Sequence, residues 1–461
     1  MIKQKTTIFS KLPFLLCIGL LVIPYDAIPH SMPSVYKPIC VYFFSIVLFL
    51  LLLKYKFCFF ADKTTKYVLL FLAYSVMVGF ITAIWYTKTP SYYLNEILPI
   101  IMGVITFLAC KLAFDHFAVT TTADNYFLSI FKLLGVAYLI PTFVAFLDIC
   151  VVYGPLPMVV KDTIQSIFGG FQSSRITGTT YEASWLSRHM MFAMFIYLYL
   201  FKRTKKRYYT VLIGLTALAY FTTFSLQGIL VLLAGIVLFI LVNAYLDKNF
   251  SKTLFRVVVY SVIAIALYAL FYYIVVEVLP PSYITYRLRD FIDISTLVRT
   301  EGSSFIRIYF PVLNLFIWRD HFLLGVGPGS LAYFYPEYAD RYAPWRPHTA
   351  ELDSYYYNLS APAESTFFSS LSQFGIVGAY LYYRIFFSLF SLYKKLKSIP
   401  CYKNILLWSC VTIAFLLQAG SYAYSLFWVM VAVISSSQYT TDLATHKNQS
   451  LAAGRGLKMD V

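Results

Sequence analysis

Residues 228–246 read GILVLLAGIVLFILVNAYL, and Asp247 and Lys248 close the run. No charged residue interrupts it. Crossing the hydrocarbon core of a bilayer takes a helix of roughly 20 apolar residues. A lipid-exposed backbone must also satisfy its own hydrogen bonds, which a helix does. Outward from this run the pattern repeats. Spans are expected at 12–29, 38–53, 67–86, 94–114, 126–152, 184–201, 208–226, 228–246, 254–279, 364–392, 403–418 and 420–437, the second and eleventh being short. The chain of 461 residues is 60% hydrophobic and 13% charged, with a mean hydropathy of +0.70. Soluble domains carry about 25% charged residues. A soluble enzyme, a disordered chain and a nucleic-acid-binding domain are excluded on these grounds. The runs are continuous rather than alternating, which excludes a membrane β-barrel. The expected fold class is an all-α polytopic membrane protein with about 12 transmembrane helices.

The net charge of +16 has a membrane explanation. With the N-terminus placed inside, the inner segments hold Lys3, Lys5 and Lys11; Lys54, Lys56, Lys63 and Lys66; and Lys111. They also hold the cluster 202–207; Lys248, Lys252 and Arg256; Lys394, Lys395, Lys397 and Lys403; and Lys447, Arg455 and Lys458. The short outer loops hold only Lys37, Lys88, Lys161 and Arg175. This alternation follows the positive-inside rule and predicts two cytoplasmic termini. No small-residue cleavage site follows the N-terminal Met-Ile-Lys-Gln-Lys, so no cleavable signal peptide is expected. The 7 cysteines form no CxxC pair, and neither disulfides nor a zinc site is expected.

The expected organisation is transmembrane helices 1–9 over 1–279, a large external loop over 280–362, helices 10–12 over 363–437 and a cytoplasmic tail over 438–461. A connection as long as 280–362 is usually functional. Its cations are all arginine: Arg287, Arg289, Arg299, Arg307, Arg319, Arg341 and Arg346. Arginine presents a planar fork suited to phosphate and carboxylate, whereas lysine is a point charge. Two readings stand side by side: recognition of an anionic substrate, or pairing with the loop's own acids. Within the loop, 303–319 (SSFIRIYFPVLNLFIWR) predicts an amphipathic helix near the membrane surface, kinked at Pro311. The glycine-rich turn LLGVGPGS at 323–330 follows no strand, which weakens a nucleotide-loop reading. The Tyr-rich stretch 333–357, including Tyr356, suits either sugar stacking or an interfacial aromatic belt.

Three patches carry candidate chemistry, all external by this topology. The first is SSRITGTTYEASWLSRHM, 173–190, where Arg175 and Glu182 precede a span and Arg188 and His189 fall inside it. Ionisable groups at membrane depth are costly and face a cavity or a partner. The second runs from Arg307 through Arg319, Asp320 and His321 to Gly325, Gly327 and Gly329. The third is APAESTFFSSLSQFGIVGAY, 361–380, with Glu364 at a helix start. A carboxylate there can cap the helix or, if partly buried, serve as a general base. His321 and His348 are more commonly satisfied surface residues, and Asp26, Glu96, Lys132 and Asp148 read as structural polar groups.

These patches, in this order around one late loop, resemble the bacterial O-antigen polymerase/O-antigen ligase superfamily (Wzy and WaaL). The segment Arg175-Ile-Thr-Gly178-Thr-Thr-Tyr-Glu182-Ala-Ser184 is similar to the family's RxxGxxxEPS stretch, with Ala183 in place of its Pro. Arg307 with Leu324-Gly325-Val326-Gly327 resembles the family's loop Arg and PLxGxG turn, and Glu364 with Gly375 and Gly378 its ExxxL…GxxG stretch. Ser225-Leu226-Gln227-Gly228 resembles an SRG turn, with Gln227 where Arg is common, so no phosphate role is carried onto Gln227. Where a ligase has His-Asn this chain has Glu364-Ser365, which leans toward a polymerase.

The resemblance implies an inverting glycosyltransferase without metal or cofactor, in the bacterial cytoplasmic (inner) membrane. It would polymerise undecaprenyl-diphosphate-linked oligosaccharide repeat units for lipopolysaccharide or a related surface polysaccharide. In this reading Glu364, Arg307 and Arg175 are catalytic, and Arg188, Glu182, Arg319, His321 and Tyr356 bind substrate. The implied partners are the lipid-linked glycans, the bilayer, a chain-length regulator and a flippase, with no nucleic acid. The alternatives are an O-antigen ligase transferring glycan to lipid A-core, and a transporter or flippase.

Overall fold

The computed structural model describes residues 13–25, 38–54, 62–85, 90–169, 175–248, 294–350, 365–418 and 421–441, with a few isolated positions besides. Those residues are mostly helical, with no strand among them. In chain order the helices are α1 (Phe14–Leu21), α2 (Cys40–Lys54), α3 (Lys63–Trp85), α4 (Pro90–Val119), α5 (Ala123–Ala137), α6 (Leu139–Val152), α7 (Met158–Phe168) and α8 (Ala183–Thr204). There follow α9 (Tyr208–Thr222), α10 (Leu226–Leu246), α11 (Ile294–Thr300), α12 (Gly302–Asp320), α13 (Leu331–Tyr342), α14 (Thr366–Leu396), α15 (Tyr402–Ala414) and α16 (Ser425–Ser436). Among the described residues, five stretches are long and apolar enough to cross a membrane: Lys63–Trp85, Glu96–Val119, Ala123–Val152, Gln227–Leu246 and Thr366–Leu396. Shorter apolar helices include Cys40–Lys54, Tyr208–Thr222, Tyr402–Leu417 and Ser425–Tyr439. The ninth expected span, 254–279, lies outside the described residues.

The apolar pattern explains which helices sit at the centre. α16 reads SLFWVMVAVISS, apolar around its whole circumference, and every one of its residues is buried. A helix of that kind belongs inside a bundle. α4 packs along it, with α2 and α3 beside α4, and α8 packs with α9. At one end of α4, Lys111 is 2% exposed and lies 3.0 Å from Asp62, with Asp115 on its other side. It is therefore a buried paired cation rather than the loop charge the topology count takes it for.

Two expected spans are interrupted. The run 126–152 divides at Tyr138 into α5 and α6. Pro141 is the cause, since proline lacks the N–H that the Ala137 carbonyl would accept and crowds that carbonyl. The run 364–392 breaks at Gly375, with φ 61 and ψ −169. Only glycine occupies that region readily. The break frees carbonyls, and the glycine-rich turn supplies their donors. Val326 N–H donates to the Ser372 carbonyl and Gly327 N–H to the Gln373 carbonyl, both at 2.8 Å. Ile376 N–H returns a bond to the Phe322 carbonyl at 2.9 Å. A β-carbon at Gly327 would overlap Thr82 of α3, and one at Gly375 would overlap the Leu323 carbonyl. The glycines of 325–329 thus clasp the loop to α3 and α14.

The loop itself is a small helical unit with its own core. α12 forms as expected and runs on through Pro311. Its apolar face is not left for the membrane surface. Phe305, Phe310, Leu313 and Ile317 are buried with Leu331, Tyr335 and Ala339 of α13. The Phe310 and Tyr335 rings lie 4.1 Å apart. Neither sugar stacking nor an aromatic belt describes Tyr335 and Tyr338, which fill this core. The short, glycine-rich connection lets α13 fold back and cover the apolar face of α12. Asn314 ties the unit to the bundle: Tyr335 donates to its Oδ1 at 3.0 Å and Ser372 of α14 at 2.8 Å.

Candidate functional site

The segment 175–182 is irregular backbone held from below by charge. Asp148, in α6, is 0% exposed, and its Oδ2 accepts the N–H groups of Thr177 (2.8 Å) and Gly178 (3.0 Å). Lys161, in α7, lies 3.1 Å from Asp148 Oδ1 as an ion pair and donates to the Arg175 carbonyl at 2.5 Å. Both partners are buried. A buried charge survives only when paired and hydrogen-bonded, so the pair fixes where this segment runs. The Arg175 side chain then reaches the α9–α10 turn, where Nη2 donates to the carbonyls of Thr223 (2.9 Å) and Phe224 (3.0 Å).

Glu182 precedes α8 and faces Arg307 of α12. The guanidinium Nη2 lies 3.3 Å from Glu182 Oε2, the two residues standing 125 positions apart in sequence, and both groups are part-exposed. Ser184 donates to the same Oε2 at 3.0 Å. This contact joins the first patch to the second.

Two turns further along α8 is Arg188, 5% exposed. Its guanidinium stands between aromatic faces, 5.1 Å from the Tyr424 ring centroid and 5.8 Å from that of Trp185. Its Nε is buried without a hydrogen-bond partner. Among the described residues no carboxylate pairs with it. Tyr424 in turn meets Phe415 at 5.9 Å, and the adjacent Leu416 carbonyl accepts from Ser365 (3.3 Å) and Thr366 (3.4 Å). The Gln418 carbonyl accepts from Gln227 at 2.8 Å. Around Arg188 the start of α10, the end of α15 and the start of α14 therefore meet. Ser365, the N-cap of α14, holds φ 65 and ψ 90, an uncommon conformation for a residue with a side chain. Glu364 directly precedes it in sequence. Glu364 and Tyr356 lie outside the described residues.

Arg319 and His321 are not gathered with this group. Twelve residues along α12 place Arg319 about 18 Å from Arg307 at 1.5 Å per residue. Arg319 pairs with Asp320 at 2.9 Å, accompanied by a 2.6 Å bond to Tyr342, and Asp320 accepts from Tyr338 at 2.8 Å. The Arg319 fork holds the Asp320 carboxyl below its ordinary range. His321 ends α12, its ring edge-on to Phe334 at 5.1 Å. Arg346 pairs with Asp340. For Arg319 and Arg346 the pairing reading of the loop arginines is the one observed.

Sequence reasoning missed Lys161, Asn314 and Tyr424 as organising groups, and took Asp148 only as a structural polar residue. The signal for Asp148 was an acid inside an apolar run, which demands a partner. Lys161 and Tyr424 carried no such signal, because contacts across the fold define them. Among the described residues no three His, Cys, Asp or Glu side chains gather into a metal-binding group. The chain matches no family model and no curated protein. By its helices it is an all-α protein of membrane-spanning type, and its site is read from geometry and motif.

Proposed function

We propose that this chain is a membrane-embedded glycosyltransferase that polymerises undecaprenyl-diphosphate-linked oligosaccharide repeat units at the outer face of the bacterial cytoplasmic membrane, with both termini cytoplasmic. The observation that carries the reading is the Glu182–Arg307 contact, which joins the two arginine motifs across 125 residues. Arg188 supports it as a buried cation with aromatic walls and no carboxylate beside it among the described residues. A diphosphate is the anion such a group suits, since its leaving charge needs preorganised cations.

In this mechanism an acceptor hydroxyl attacks the anomeric carbon of the donor sugar. The bond from that carbon to the diphosphate oxygen breaks, and undecaprenyl diphosphate departs with the electron pair. Glu364 takes the hydroxyl proton as general base. Single displacement inverts the anomeric configuration. Arg307 and Arg188 face the leaving group. Arg175 braces the turn from which α10 starts, so its role is positioning as much as charge. A chain-length regulator and a flippase are the proposed protein partners.

A transporter reading would draw on the broken α14, because transporter sites use discontinuous helices. The carbonyls of Ser372 and Gln373 at that break are already bonded to the glycine-rich turn, which speaks against an ion site there. The test is a surface-glycan gel of a deletion strain complemented with the wild-type chain or with Arg307→Ala, Arg188→Gln or Glu364→Ala, with carrier-linked glycans analysed in parallel. A lost ladder with one repeat left on lipid A-core is expected for the deletion and each variant. Long glycans stranded on the carrier above bare core would make the chain a ligase. Folded variants with a full ladder would end the proposal.

A further inference from the structure

Between the ends of α10 and α14 lies an open groove of about 690 Å³, remote from the residues discussed above. Leu241 and Tyr245 line one side, Phe387 and Phe390 the other, and Ser391 and Lys394 close one end. The two helices are bridged beyond the groove rather than packed through it. Lys397 donates to the Leu246 carbonyl (2.7 Å) and to Asp247 (2.6 Å), and Tyr402 donates to Asn243 (3.0 Å). Asn243 donates to the second oxygen of Asp247 at 3.0 Å. The acid at this end is thereby occupied, and among the described residues no carboxylate pairs with Lys394. Lys394 and Lys395 are both exposed. The outward faces beside the groove are apolar and open, with Tyr245 69% and Phe387 57% exposed.

We infer that this groove is a binding site for one anionic phospholipid of the cytoplasmic leaflet. Its acyl chains would lie along Leu241, Phe387 and Phe390, with its phosphate at Lys394. Two observations select that occupant. The apolar length ends in an uncompensated lysine, the pattern by which basic pockets between membrane helices hold anionic head groups. The end in question carries Lys248, Lys394, Lys395, Lys397 and Lys403, the positive-inside signature of the cytoplasmic side.

The experiment is native mass spectrometry of the full chain purified in neutral detergent and titrated with phosphatidylglycerol or phosphatidylcholine. The wild-type chain should retain one phosphatidylglycerol in preference to phosphatidylcholine. Lys394→Gln should weaken phosphatidylglycerol retention about fivefold, the factor expected for one surface lysine, and leave phosphatidylcholine unchanged. Ser391→Trp should fill the groove and abolish retention of both at this site. Equal retention of the two lipids by the wild type would overturn the inference, as would unchanged phosphatidylglycerol retention in both variants. The readout is independent of glycan chemistry, so it stands or falls apart from the proposed activity.

Discussion

Removing the charge of Asp148 should release the first arginine segment, and the size of the effect follows from its contacts. Its carboxylate accepts two backbone N–H groups and faces a buried ammonium 3.1 Å away. Asp148→Asn keeps one acceptor oxygen but leaves Lys161 charged and uncompensated, a loss of about 3–5 kcal/mol for a broken buried pair. Lys161→Met has the milder outcome of an Asp148 still solvated by two N–H groups, together with a lost bond to the Arg175 carbonyl. The double variant Asp148→Asn/Lys161→Met removes both charges. It should be at least about 2 kcal/mol more stable than the sum of the single losses predicts, as expected for contacting residues. The assay is unfolding in mixed micelles followed by tryptophan fluorescence, with proteolysis between 170 and 182 as a local readout. Additivity of the two single variants within about 0.5 kcal/mol would refute the claim that this pair acts as a unit.

Gly375→Ala should cost about 1–3 kcal/mol from backbone conformation alone, and more from overlap with the Leu323 carbonyl. Protease sensitivity of 294–350 should rise, whereas Gly214→Ala, with open space around it, should leave the chain unchanged. Asn314→Leu removes the acceptor of both Tyr335 and Ser372, which should loosen the loop unit without unfolding the bundle; hydrogen exchange in α12 and α13 would report it. Asp320 has its pKa lowered mainly by the Arg319 hydrogen bonds. A depressed carboxylate adds stability above its unfolded pKa and loses it as pH falls through the folded one. The α12–α13 tie should therefore be complete at neutral pH and weaken below the ordinary carboxylate range, and Asp320→Asn should remove that dependence in an acid titration of loop proteolysis.

The apolar runs determined the helices. Residues 228–246 and 67–86 had one low-energy option in or out of a membrane, and α10 and α3 are there. The pattern also marked Arg188 and His189 as ionisable groups inside an apolar run, and both are buried. Periodicity could not say which arginine meets which acid. The Glu182–Arg307 contact, the Asp148–Lys161 pair and the Tyr424 wall of Arg188 all join residues distant in sequence. Nor could it show that the glycine-rich turn serves a helix break, because a hydrogen-bond donor and the carbonyl it satisfies share no local signal. Helix formation is a local matter of burial and backbone bonding, and the sequence carried most of it, the breaks at Tyr138 and Gly375 excepted. The site depends on charges finding partners across the bundle, and only the packed tertiary structure decides those.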